Sequence, residues 1–260
     1  IESVLNQCYK DFELLIVDNA STDQTEAITN SYKDSRIKYI RNEKNIGMRR
    51  NWNKCIDLAR GKYLMILGDD DILRTDFLEK SMEIHHSHHN LGFTFSHCNK
   101  VDEDGRFLMR WGYDFTPVGV LDSLDYLYYT LKYEACLTNS STVLAQKQAY
   151  IDLNKFQKEF GSNTFDFNMW IKIASKYNVF FIDKVLCDYR IHSKQVSELH
   201  WRRQEKPTGK IGTYLELYKI IATLNRKDVS ELVTRKFLQD KTITITKKLA
   251  KLISTLAPEF

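Results

Sequence analysis

The apolar positions of the chain follow two rhythms, and their alternation predicts the architecture. Phe12 to Val17 is nearly all apolar before Asp18 and Asn19 end the run. A run apolar on both faces predicts a buried parallel strand. IESVLNQ ahead of it reads as the end of a helix, with Val4 and Leu5 on its apolar side. STDQTEAITNSYK then takes helical spacing, with Ser21 or Thr22 as the N-cap and acids in the first turn. RIKYIRN predicts a short strand, and NIGMRRNWNKCIDLARGKYLMIL predicts loop, helix and strand, with Gly61 stopping the helix. This β-α-β-α-β start is the pattern of a parallel sheet covered by helices.

Further along, TDFLEKSMEIHHSHH predicts a helix, and LGFTFSHCNKVDEDGRFL predicts a strand, a DEDG turn and a returning strand. Leu121 to Tyr133 is an aromatic-rich helical stretch, TNSST (138–142) a small polar loop before an apolar strand, and FDFNMWIKIASKYN a helix. VFFIDKVLCDYRIH predicts a strand followed by a turn or a second short strand. From Lys206 the spacing changes to two basic amphipathic helices, with Pro207 and Gly209 at the boundary. Residues 1–205 are therefore expected to form the main α/β domain and residues 206–260 a helical extension.

Composition changes this picture little. The 260 residues are 43% hydrophobic and 28% charged, ordinary values for a globular chain. A net charge of +4 is too mild for a dedicated nucleic-acid binder, so no nucleic-acid partner is expected. The five cysteines are scattered without a CxxC spacing, which predicts free thiols in a reducing compartment. No apolar run approaches the about 20 residues of a membrane span. The chain opens at Ile1 with no visible signal peptide, as a fragment or processed chain would. These features predict a cytoplasmic protein, with contact at the inner face of a membrane.

Candidate chemistry concentrates where strands end. YLMILGDDDIL places Asp69, Asp70 and Asp71 side by side after an apolar run, and three like charges repel unless a cation or solvent relieves them. Ligands of open parallel sheets sit beyond such strand ends, where Asp18 also falls. Grouped carboxylates there suit Mg²⁺ or Mn²⁺, and the cation suits a phosphate. The same acids also suit the start of the next helix, where the dipole favours anions. His192, in YRIHSKQVS, offers an imidazole to a metal or a phosphate, or is a surface-loop histidine. Asp166, in FDFNMWIKIA, is a carboxylate able to take a proton from a hydroxyl, or an acid of a first helical turn. NEKNIGMRRNWN sets Asn45 and Gly47 beside Arg49 and Arg50, as a close approach to phosphate or as a turn with solvated charges. HHSHH (85–89) places histidines at helical spacing, but with no acid or cysteine to complete a site it reads as a solvated helix end.

Together and in this order, IESVLNQCYKDFELLIVDNASTDQT, NEKNIG, ARGKYLMILGDDDIL, FDFNMWIKIA and YRIHSKQVS resemble the family 2 glycosyltransferases over about residues 1 to 200. The resemblance implies a GT-A (Rossmann-like) fold, a mostly parallel sheet flanked by helices. It implies an inverting, metal-dependent transfer of a sugar from a nucleotide diphosphate, most readily a UDP-sugar, to a saccharide or lipid-linked acceptor in surface polysaccharide or glycolipid assembly. It gives Asp166 the role of general base, Asp70 and His192 that of metal site, and Asp18, Asn45, Asp69 and Asp71 that of donor binding: Asp18 at the base, Asp69 at the ribose, Asp71 towards the sugar. The cofactor is a divalent cation, Mn²⁺ or Mg²⁺.

Two departures accompany the resemblance. Gly68 stands where many members carry the first acid of Asp-X-Asp-Asp. The family also opens with a strand and a base-cradling loop that this sequence starts after, so a sheet short of a central strand is expected. Two other functions fit the residues: a metal-dependent nucleotidyltransferase, and a sugar-nucleotide-binding protein with impaired catalysis. The Lys- and Arg-rich faces of WRRQEK, TRKFLQDK and TKKLAKLIS suit either anionic lipid or packing on the main domain.

Overall fold

The first apolar run forms β1 (Leu14–Asp18), and the helix expected after it is α2 (Thr25–Ser31), leading to β2 (Ile37–Arg41). A four-residue helix, α1 (Glu2–Leu5), precedes them. β1 and β2 pair in parallel as a sheet of their own, in register from Leu14 against Ile37 to Asp18 against Arg41. The computed structural model describes residues 1–112, 117–132, 138–157 and 165–195. The helices expected over 206–260, with their boundary at Pro207 and Gly209, lie outside the described residues, as does Cys136.

The chain continues through α3 (Met48–Leu58), β3 (Tyr63–Leu64), β4 (Ile72–Leu73), α4 (Phe77–Ser87), β5 (Leu91–Val101) and β6 (Phe107–Trp111). It then forms β7 (Gly119–Leu121), α5 (Ser123–Lys132), β8 (Val143–Gln146), α6 (Lys147–Asp152), α7 (Phe165–Lys176) and β9 (Asn178–Arg190). A second sheet takes the order β3-β8-β5-β9-β4, with β6 on β5 and β7 on β9. The α/β class with flanking helices is as expected, but the sheet is mixed. Among the described residues β1–β2 and β5–β9 run parallel, and the other five pairings are antiparallel. The physical reason is connection length: β5 and β6 are joined by a tight DEDG turn, and only antiparallel strands accept one.

The middle strands are buried on both faces, so the second sheet carries a core on each side. One core gathers Phe93, Phe95, Val143, Ala145, Val179 and Phe181 against the helices α3, α5, α6 and α7. The other gathers Leu144, Cys98, Ile182, Leu186 and Cys187 against Val4 of α1 and Phe77 and Met82 of α4. Trp170 anchors α7 in the first core, with ring centroids 5.6 Å from Phe93 and 6.0 Å from Tyr150. Truncating such a buried tryptophan to alanine costs about 3–5 kcal/mol.

Several local expectations are corrected. β1 is half-buried over Leu14–Val17 rather than buried on both faces. The N-cap of α2 is Gln24 without a side-chain hydrogen bond, because the Ser21 N–H donates to Asp18 (2.8 Å). α3 ends at Leu58 with Ala59 as its C-cap, before Gly61. In place of the expected strand followed by a turn or a second short strand, VFFIDKVLCDYR is one long strand ending at Arg190, accommodated by register irregularities opposite Ser96 and His97. His85 is no solvated residue: it is 3% exposed, and its Nε2 lies 3.0 Å from the Leu144 carbonyl. Burial lowers its pKa to about 4. Among the described residues no helix is long and apolar enough to cross a membrane.

Candidate active site

At the C-terminal end of β1, Asp18 is buried among donors. Its Oδ1 accepts the Ser21 N–H (2.8 Å), its Oδ2 accepts the Tyr39 hydroxyl (2.6 Å), and Arg41 approaches Oδ2 at 3.5 Å. Burial alone would raise its pKa, but these hydrogen bonds and the guanidinium charge outweigh it and hold the carboxyl below its usual range. The same contact and burial push the Tyr39 phenol up to about 12.

Beside Asp18 an asparagine network fixes the next loop. Asn19 donates to the Asn45 Oδ1 (2.9 Å) and accepts from the Ile46 N–H (2.9 Å) and from Asn42 (3.2 Å). Asn51 of α3 donates to the Val17 carbonyl (2.8 Å) and accepts from Asn42 (2.8 Å). Asn45 itself is exposed and accepts the Gly47 N–H (2.9 Å). Gly47 has φ 83°, which is why glycine starts α3. Arg49 donates to the Phe156 carbonyl (3.1 Å), so this guanidinium serves the fold instead of standing free for a phosphate.

The second cluster lies after β3. Asp69 is exposed, Asp70 half-buried and Asp71 buried. The His192 Nε2 stands 3.0 Å from the Asp70 Oδ2, with side chains 26% and 24% exposed. Asp71 accepts the Arg190 N–H (2.9 Å), while Arg190 Nε donates to the Asp70 carbonyl (3.0 Å) and Nη1 to the carbonyls of Asp102 and Glu103. Ser141 accepts the Gly68 N–H (3.0 Å) and hydrogen-bonds Asp71. Burial raises the Asp71 pKa to about 6, with Asp70 and Asp69 adding to the rise and Ser141 and Arg190 opposing it. Gly68 lets both carboxylates fold back over the main chain: a Cβ there would lie 2.8 Å from the Asp70 Oδ1 and 2.9 Å from the Asp71 Oδ2.

Asp166 sits in the first turn of α7 and accepts the Phe167 N–H at Oδ1 (2.8 Å). Burial outweighs that bond and raises its pKa above the usual carboxylate value. Its neighbour Phe165 packs on Trp52 of α3 (5.1 Å between centroids), and α3 reaches the end of β1 through Asn51.

The structure thus joins Asp70 to His192 and sets Asp71 beside them, and it joins Asp18 to Asn45 through Asn19. Among the described residues no hydrogen bond or ion pair links these two clusters, and none links Asp166 to either. No group of three or more His, Cys, Asp or Glu stands together as a ready metal site among the described residues. Tyr39, Arg41, Ser141 and Arg190 were missed from the sequence. Arg190 was in view within YRIH and Ser141 within TNSST, but nothing local marks Tyr39 as the partner of Asp18.

This combination of a mixed sheet, flanking helices and strand-end acids is the fold of nucleotide-sugar glycosyltransferases of the GT-A type. S. aureus TarS (1–349) superposes with a TM-score of 0.65 at 18% identity, over 98% of this chain and 71% of that one. The mannosyltransferase PcManGT from Pyrobaculum calidifontis, solved with GDP-Man and Mn²⁺, gives 0.62 at 15% identity over 100% and 71%. Sequence narrows the class further. The chain belongs to glycosyl transferase family 2, whose sequence pattern (Glycosyl transferase family 2) matches residues 1–151. An uncharacterized glycosyltransferase of Methanocaldococcus jannaschii is 33% identical over 201 residues, 75% of this chain and 65% of its own length. Escherichia coli WfaP, a UDP-Glc:alpha-D-GlcNAc-diphosphoundecaprenol beta-1,3-glucosyltransferase, is 32% identical over 203 residues, 76% of this chain and 72% of its own. The chain spans less than two thirds of the first relatives, down to 30% of one from Rickettsia felis.

Proposed function

We propose that the chain is an inverting glycosyltransferase that moves a sugar from a UDP-sugar to a hydroxyl of a saccharide or lipid-linked acceptor, in surface polysaccharide or glycolipid assembly. The observation that carries this reading is the 3.0 Å pairing of His192 with Asp70 beyond two strands that the sequence separates by more than a hundred residues. The names of the relatives support the donor and acceptor classes.

A carboxylate and an imidazole, both about a quarter exposed, fit a hard divalent cation that keeps water and substrate oxygens as its other ligands. Asp70 and His192 would hold it, with Asp71 and Asp69 supplying negative charge beside them. When bound, such a cation neutralises charge growing on the leaving diphosphate. The protein's own groups do the rest. Asp18 accepts an N–H of the nucleotide base with a lone pair left over from Tyr39 and Ser21, since a carboxylate has about four such sites. Asn45, tied to Asn19 beside it, would meet the donor on the same side, and Asp69 the ribose. Asp166 takes the proton of the acceptor hydroxyl. That oxygen bonds to the anomeric carbon from the side opposite the diphosphate, the anomeric carbon–oxygen bond to phosphate breaks, and UDP leaves with the electron pair. The sugar is inverted, with no covalent enzyme intermediate. Acceptors anchored in lipid place the reaction at the inner membrane face.

The test is transfer from UDP-glucose to a short-chain lipid-diphosphate N-acetylglucosamine in the presence of Mn²⁺. Asp166→Asn is expected to lower kcat about 10²–10⁴-fold while leaving UDP affinity within twofold. An Asp166→Asn variant that keeps the wild-type rate overturns the base assignment, and transfer unaffected by chelation overturns the cation.

A further inference from the structure

β5, β6 and β9 come together just beyond the acidic cluster. Lys100 is in register with Met109 of β6 and Tyr189 of β9, and Cys98 with Trp111 and Cys187. Register partners share a sheet face, so Cys98, Lys100, Trp111, Cys187 and Tyr189 project on one side. There the Lys100 ammonium lies 4.4 Å from the Trp111 ring centroid, and that ring stands 5.5 Å from Tyr189 at 64°. Both rings pack against the core that holds the two buried cysteines.

This face belongs to the site. Tyr189 immediately precedes Arg190, whose N–H binds Asp71. Asp71 directly precedes β4, whose Ile72 and Leu73 pair with Asp188 and Cys187 of β9, so its carboxylate adjoins the Tyr189 end of this stretch of sheet. Lys100 is half-buried, and among the described residues its ammonium contacts an aromatic ring and makes no ion pair with a carboxylate. A half-buried cation attracts an anion strongly, because the low-dielectric wall beside it weakens solvent screening. The adjoining half-buried Trp111 offers what a sugar ring packs against: a large apolar surface.

We propose that Lys100, Trp111 and Tyr189 form an acceptor subsite for a saccharide that carries a phosphate or diphosphate at its reducing end. The sugar packs on the Trp111–Tyr189 pair and the phosphate pairs with Lys100. The subsite deepens the glycosyltransferase reading and rests on it for the identity of the ligand as acceptor.

The experiment compares two acceptors with UDP-glucose as donor: undecyl-diphosphate N-acetylglucosamine, and methyl N-acetylglucosaminide, which has no phosphate. Lys100→Met is expected to raise KM about tenfold for the first acceptor and to leave KM for the second unchanged. Lys100→Arg restores most of the affinity, and Trp111→Ala raises KM for both acceptors. UDP affinity, measured by titration, stays level in every variant. An equal effect of Lys100→Met on both acceptors, or none on either, overturns the subsite. A loss of UDP affinity reassigns Lys100 to the donor diphosphate and overturns it as well. If the wild-type chain transfers no sugar, undecyl-diphosphate N-acetylglucosamine is titrated onto the full chain alone. Binding that weakens in Lys100→Met then sustains the subsite while the proposed reaction fails, and binding indifferent to Lys100, or none, overturns it.

Discussion

Asp18, the last residue of β1, and Asp71, directly before β4, are both buried aspartates, 5% and 8% exposed, yet the two carboxyls are pushed in opposite directions. Asp18 lies among donors: Tyr39, the Ser21 N–H and the Arg41 guanidinium together overcome its burial. Asp71 has two donors of its own, but burial and two further aspartates prevail, and its carboxyl rises to about 6. Burial therefore does not decide the charge of a strand-end acid; its partners do. The β1–β2 end is a dense network of donors and asparagines around one carboxylate. The Gly68–Asp71 end is an accumulation of negative charge with one imidazole beside it, and it is there that we propose a cation.

The largest expected break in this contrast comes from Asp70→Asn. Removing one carboxylate from the incomplete cluster should lower kcat about 10²–10³-fold and abolish the Mn²⁺ dependence of UDP binding. The circular dichroism spectrum should not change, because no described hydrogen bond of Asp70 beyond His192 uses its carboxylate. His85 sharpens the contrast as a buried group in which burial outweighs the one hydrogen bond, to the Leu144 carbonyl, that opposes it. Its folded pKa of about 4 is depressed below the unfolded value. Its contribution to stability is complete above about pH 6.5 and is lost as pH falls towards 4, on the order of 3 kcal/mol. Denaturant titrations of wild type and His85→Leu between pH 7 and pH 4 should converge by that amount; parallel curves would contradict it. Tyr39→Phe removes one donor from Asp18 and should destabilise the chain by about 1–2 kcal/mol at pH 7, with a smaller deficit as Asp18 protonates in acid. The smallest effect is expected from Gly68→Ala, whose methyl crowds the two carboxylates and should weaken Mn²⁺ affinity several-fold with the melting temperature nearly unchanged.

Legibility from sequence followed how local each signal is. The first strand, the helices around Thr25, Met48, Phe77 and Phe165, and the strand from Leu91 were visible because their periodicity is contained in a short window. β3 and β4 have two residues each, too few for any alternation, and β7 and α6 are defined by what they pair with or pack on. The acids and His192 were legible as chemistry, but only the fold puts His192 against Asp70. Arg190, a structural clamp on three carbonyls, looks from sequence like any exposed arginine. His85 was misread because its exposed neighbours His86 and His89 dominate the local pattern, while a carbonyl of β8 decides its environment.

Most directly, the account is tested by the affinity of UDP for the full chain with and without Mn²⁺, in wild type, Asp70→Asn and His192→Ala. It predicts that Mn²⁺ tightens UDP at least about tenfold in wild type and that either substitution removes the gain. UDP bound equally well without Mn²⁺, or a gain that survives both substitutions, would contradict it.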